Sequence, residues 1–68
     1  MKNRIRALRE QDGLTQKQLG EKVGVSRQAI NAIETGKFDP SIWLAYDLAQ
    51  LFHLTIEEIF DFEGSERR

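Results

Sequence analysis

Arg27, Gln28 and Asn31 carry the most directional hydrogen-bonding chemistry in this 68-residue chain. A guanidinium can bond guanine O6 and N7 together, and a Gln or Asn carboxamide can do the same with adenine N6 and N7. Spaced i, i+1 and i+4, the three lie along one edge of a helix. Around them stand Thr15, Gln16 and Lys17, then Thr35 and Lys37. These are hydroxyl, amide and ammonium groups of the kind that hold a nucleic-acid backbone. Taken singly, each is ordinary solvated surface. Their meaning as a set depends on the elements that carry them.

Other chemistry has little to work with. Glu57 and Glu58 are neighbours, so on a helix they point about 100° apart and do not converge on a substrate. A helix start, where acidic groups meet the positive end of the dipole, explains them. The chain has no cysteine and one histidine. His53 therefore cannot build a zinc site, and its place near a helix end suits an imidazole beside free carbonyls. There is no glycine loop of the phosphate-cradling kind and no nucleophile with a partnered base. No enzymatic activity, metal or cofactor is expected.

The supporting elements follow from caps and periodicity. Ile5, Leu8 and the stem of Arg9 share one face of a first helix that stops at Asp12-Gly13. Thr15, with Gln18 three residues on, forms a capping box for a second helix, which buries Leu19 and Val23 and ends at Gly24. Ser26 caps a third helix with Ile30 and Ile33 inward, running to Thr35-Gly36. Pro40 disfavours helix at Asp39, so residues 37–40 are a connection. Ser41 opens a fourth helix with Leu44, Leu48, Leu51 and Phe52 on its inner face, and Thr55 opens a brief fifth with Ile56, Ile59 and Phe60. The alternation Phe60-Asp61-Phe62-Glu63 admits a short C-terminal strand, and residues 64–68 read as a frayed tail. The expected fold is one all-α, compact five-helix domain over residues 1–68.

Between the second and third helices the turn is too short to reverse the chain, so the pair must cross steeply. Leu19, Val23, Val25, Ile30 and Ile33 then point into one wedge, with Gly20 where the helices approach most closely. The outer side of the third helix is left as a ridge about 10–12 Å wide, which the roughly 12 Å major groove of B-DNA accepts. Arg27 and Gln28, first on that helix, reach the groove floor when it enters N-terminus first. Thr15, Gln16 and Lys17 begin the preceding helix, whose free N–H groups favour a phosphate.

The stretch LTQKQLGEKVGVSRQAINAIETGK resembles the helix-turn-helix of phage repressor/Cro-type regulators, the XRE family. The apolar positions, Gly20, Gly24, Ser26-Arg27-Gln28 and Ile33-Glu34 carry the resemblance, which extends over about residues 3–60 with the helix-turn-helix unit at about 15–36. It implies a lambda-repressor-like fold, base reading by Arg27, Gln28 and Asn31, and backbone contact by Thr15, Gln16, Lys17, Thr35 and Lys37. It also implies a structural ion pair between Arg9 and Glu34. The Phe38-Asp39-Pro40-Ser41 connection is similar to that of short single-domain members, whose C-terminal end often adds a small sheet and supports a dimer. No effector or ligand-sensing domain is expected beside it.

Composition agrees with a polyanion partner. Net charge is −1, yet residues 1–37 carry eight basic against four acidic side chains, and residues 38–68 two against seven. One face can thus be basic while the rest is acidic. At 40% hydrophobic and 31% charged, the chain is neither disordered nor membrane-spanning in character. No apolar segment follows the basic start, so a cytoplasmic location is expected. A domain this small buries only about 60% of its unfolded surface, and without disulfides or metal, self-association is the remaining support. Trp43, Ile56, Phe60 and Phe62 are the candidates for a dimer surface. The expected function is a homodimeric, sequence-specific double-stranded-DNA-binding transcriptional regulator, a repressor acting on a palindromic operator. The alternative is an antitoxin-type protein-interaction module on the same fold.

Overall fold

The computed structural model describes residues 1–62. Five helices follow one another: α1 (Ile5–Gln11), α2 (Gln16–Val23), α3 (Arg27–Glu34), α4 (Ile42–Phe52) and α5 (Ile56–Ile59). Four short polar residues set where α2 to α5 begin. Thr15, Ser26, Ser41 and Thr55 each adopt an extended conformation and accept a hydrogen bond from the N–H three residues on. Each cap satisfies one of the N–H groups that a helix start leaves without a carbonyl. In α2 and α5 the bond is returned: Gln18 and Glu58 accept from the N–H of Thr15 and Thr55 at 2.9 and 2.8 Å. α1 lacks such a cap on Arg4, and Asn3 replaces it, its Oδ1 accepting from the Ile5 N–H at 3.1 Å.

The α2–α3 turn depends on two glycines for different reasons. Gly24 ends α2 at φ 78°, the left-handed region, where a Cβ costs about 1–2 kcal/mol. Gly20 is buried, and a Cβ there would lie 2.5 Å from the Val25 carbonyl oxygen. That crowding comes from the backbone of the turn rather than from α3, a closer constraint than the expected helix–helix approach. The Val25 N–H donates to the Gly20 carbonyl at 2.9 Å and fixes it. At the end of α4, His53 takes the same left-handed conformation, φ 58°, with a full side chain.

Ile5, Leu19, Ile30, Ile33, Leu48 and Ile59 are almost wholly buried. Burial of each such side chain contributes about 1.5–3 kcal/mol. They come from all five helices, so the core holds the α2–α3 pair against the rest of the domain.

The segment after α5 departs from the expected strand. Phe60 forms a single antiparallel bridge with Asn3. It is flanked by bonds from the Arg4 N–H to the Ile59 carbonyl and from the Asp61 N–H to the Lys2 carbonyl, both 2.9 Å. Among the described residues there is no strand beyond this bridge. The expected alternation does not hold, since Phe60 is buried while Asp61 and Phe62 are both exposed, and Asn3 alone bridges to Phe60, too little to make a ladder. Glu63 and the expected tail at 64–68 lie outside the described residues. Asn3 also donates from Nδ2 to the Ile33 carbonyl at 2.9 Å, tying the N-terminal segment to the end of α3.

Candidate nucleic-acid interface

α3 divides cleanly by face. Ile30 and Ile33 point into the core, while Arg27, Gln28, Asn31 and Thr35 are exposed. At 3.6 residues per turn these four fall within about 100° of helix surface, opposite the buried pair. The side chains of Arg27, Gln28 and Asn31 make no hydrogen bond or ion pair among the described residues, so their full donor and acceptor capacity faces outward. Ser26 fixes the start of the stripe, its Oγ accepting from the Ala29 N–H at 3.1 Å.

The end of α3 is fixed by a buried charge cluster. Glu34, its side chain 3% exposed, accepts from Arg9 Nε at 2.6 Å. It also accepts from Arg9 Nη2 at 3.2 Å and from Gln16 Nε2 at 3.1 Å. Arg9 Nη1 donates to the Leu14 carbonyl at 2.8 Å. α1, α2 and α3 therefore meet on one carboxylate. The hydrogen bond to Glu34 raises the Arg9 guanidinium above its ordinary range, burial works against this, and the charges of Glu34 and Glu10 add to it. The arrangement works because no buried polar side-chain atom is left without a partner among the described residues, which keeps the desolvation cost compensated.

The expected backbone-contacting residues fall into two groups. Lys17 and Lys37 are exposed and their ammonium groups have no partner among the described residues. Thr15, Gln16 and Thr35 are already engaged: Thr15 Oγ1 accepts from the Gln18 N–H, Gln16 donates to Glu34, and Thr35 Oγ1 donates to the Asn31 carbonyl at 2.9 Å. Gln16 keeps its carbonyl oxygen and one amide hydrogen. Asn31, Gln16 and Thr35 share a polar cleft of about 270 Å³ with Arg6, Arg9 and Glu34. Arg6 reaches this cleft from α1, outside the residues that the sequence pattern singles out.

The dimer candidates are placed unevenly. Phe60 is 2% exposed and belongs to the core, so it is withdrawn from them. Burial against the N-terminal segment, invisible in the local pattern, is the reason. Ile56 and Phe62 line a small apolar cleft of about 150 Å³ together with Met1, Pro40 and Ile42. Trp43 is 74% exposed and stands edge-on to Tyr46, ring centroids 6.4 Å apart. Ile42, 71% exposed, and Phe38, 50% exposed, are apolar surface residues outside the expected set. For Ile42 the signal is its place four residues before Tyr46, off the Leu44–Leu48 face.

The sequence profile of the helix-turn-helix family matches residues 5–59. The chain belongs to the helix-turn-helix family. It is similar to the HTH-type transcriptional regulator MJ0272 of Methanocaldococcus jannaschii, 50% identical over 66 residues that cover 97% of this chain and 100% of that one. It is also similar to the HTH-type transcriptional regulator YgzD of Bacillus subtilis, 43% identical over 88% of this chain and 91% of YgzD. Among solved structures it is similar to the P22 c2 repressor, there in complex with a synthetic operator. The TM-score is 0.76 with 31% identity, covering 79% of this chain and 82% of the repressor. The five-helix architecture, with no sheet among the described residues, is of the lambda-repressor type. No described helix of this helix-turn-helix protein is long and apolar enough to cross a membrane.

Proposed function

We propose that the chain is a homodimeric, sequence-specific double-stranded-DNA-binding transcriptional repressor that reads the major groove with α3. The observation that carries this is the outward stripe of Arg27, Gln28 and Asn31, exposed and unengaged along a helix fixed at both ends. Rigid placement matters because bidentate base contacts tolerate little error in position. The names of MJ0272 and YgzD as transcriptional regulators, and the operator bound to the P22 c2 repressor, support the same reading. In this role Arg27, Gln28 and Asn31 touch base edges. Lys17 and Lys37, with the remaining donors of Thr15 and Gln16, hold the backbone on either side, and Thr35 joins them by turning its hydroxyl away from the Asn31 carbonyl. One recognition helix reads too few base pairs for useful selectivity. Two copies, joined through the apolar surface of Ile42, Trp43, Ile56 and Phe62, would reach half-sites about 34 Å apart. The protein would act in the cytoplasm, with its DNA.

Selection of bound duplexes from a random pool tests the proposal. A palindromic consensus with half-sites about one helical turn apart is expected. Recovery of duplexes without any consensus overturns base reading. No retardation of duplex at micromolar protein and low salt instead favours the antitoxin-type, protein-binding role.

A further inference from the structure

We propose that Arg6 is a DNA-phosphate contact that Glu10 holds in reserve, an inference that rests on duplex binding through α3. Arg6 lies on α1, outside the helix-turn-helix unit, yet it forms part of the wall of the polar cleft shared by Gln16, Asn31 and Thr35. A backbone strand running past the first turn of α2 beside an α3 lodged in the groove passes this cleft. Within it, the other cation is less available. The Arg9 side chain is 11% exposed, and three of its five donors are committed to Glu34 and Leu14. The charges of Arg9 and Glu34 cancel, leaving Arg6 as the net positive charge of the cleft wall.

Arg6 is 73% exposed and makes one side-chain contact among the described residues, Nε to Glu10 Oε2 at 3.2 Å. A guanidinium has five N–H donors, so four remain, in the planar fork that matches a phosphate bidentately. The Arg6–Glu10 pair is an exposed i, i+4 pair, the weak kind that a better acceptor displaces. Glu10 does not line the cleft; it sits one turn along α1 and neutralises Arg6 in the free protein. The consequence is a cation that contributes little to distant attraction of any polyanion and engages once a duplex is seated.

Anisotropy titrations with an operator duplex and a random duplex, over about 50–200 mM salt, test this. Arg6→Ala should weaken both duplexes alike, by about fivefold, and reduce the salt slope by about 0.9 per subunit. Glu10→Gln should tighten binding in the wild-type background and have no such effect beside Arg6→Ala. Arg4→Ala is the matched control. It removes the same charge, but Arg4 Nη1 is bonded to the Glu58 carbonyl on the α5 side, so the slope should hold. Arg6→Ala behaving as Arg4→Ala, or Glu10→Gln acting equally with and without Arg6, overturns this proposal and leaves α3 reading intact. A wild-type chain that binds no duplex overturns both.

Discussion

Replacing Glu34 with alanine is the most informative single perturbation of the fold. The carboxylate is nearly sealed from solvent and accepts three hydrogen bonds, two from Arg9 and one from Gln16. Its loss strands a guanidinium whose side chain is 11% exposed, and breaking such a pair from one side costs about 3–5 kcal/mol. A domain of this size has about 3–10 kcal/mol in all, so most of its stability should go. At about 4–8 °C per kcal/mol for a small domain, the melting point should fall by at least 12 °C. Urea unfolding followed by helical circular dichroism measures the change at 25 °C. The double variant Arg9→Met/Glu34→Leu should recover most of the loss, because apolar replacement of a whole buried pair is often neutral or better. Arg9 itself adds no pH dependence to wild-type stability over the working range. A cation whose folded value is raised contributes in full below its unfolded value, and the contribution is lost only as pH climbs through the folded one, beyond the ordinary arginine range. A cost below about 1 kcal/mol for Glu34→Ala, or a double variant weaker than the single, would refute the account of this cluster as the joint of α1, α2 and α3.

Three further outcomes are expected. Arg27→Ala should cost about 1–3 kcal/mol on the selected operator and relax preference at one base position, with unchanged affinity for random duplex; equal losses on both would remove its base-reading role. His53→Gly should stabilise the domain by about 0.5–1 kcal/mol, since it relieves a left-handed side chain at an exposed helix end; calorimetry showing no gain would mean that residue is not strained. Ile42→Glu should shift sedimentation toward the monomer without loss of helicity, as a charge placed in an apolar contact is costly; an unchanged dimer would move the subunit contact elsewhere.

Much of the fold is legible because its punctuation is local. Thr15, Ser26, Ser41 and Thr55 act on N–H groups three residues away, so their effect can be read within a short window. The inward faces of α3 and α4 follow from helical spacing alone. What escapes is decided by distant partners. Nothing near Phe60 says that Asn3 will pair with it, so its burial and the missing strand follow only from the assembled chain. Asn3 as the cap of α1 is a local contact with Ile5, hidden because Arg4 intervenes between it and the helix. At the candidate interface, the stripe of Arg27, Gln28 and Asn31 is a one-helix property and was legible. The capture of Gln16 by Glu34 and the arrival of Arg6 at the cleft depend on how α1, α2 and α3 meet, which spacing along one helix does not encode.

The closure between Asn3 and Phe60 also orders events during synthesis. At 5–20 residues per second, roughly 3–12 s pass between the making of one partner and the other. In the later part of that interval, once Glu34 is made, α2 and α3, close in sequence, can pack together. The polar edge of residues 2–4 must wait in water, and the end of α3 that Asn3 braces through Ile33 stays unbraced. A nascent chain thus completes the α2–α3 pair before the strut that steadies the end of α3.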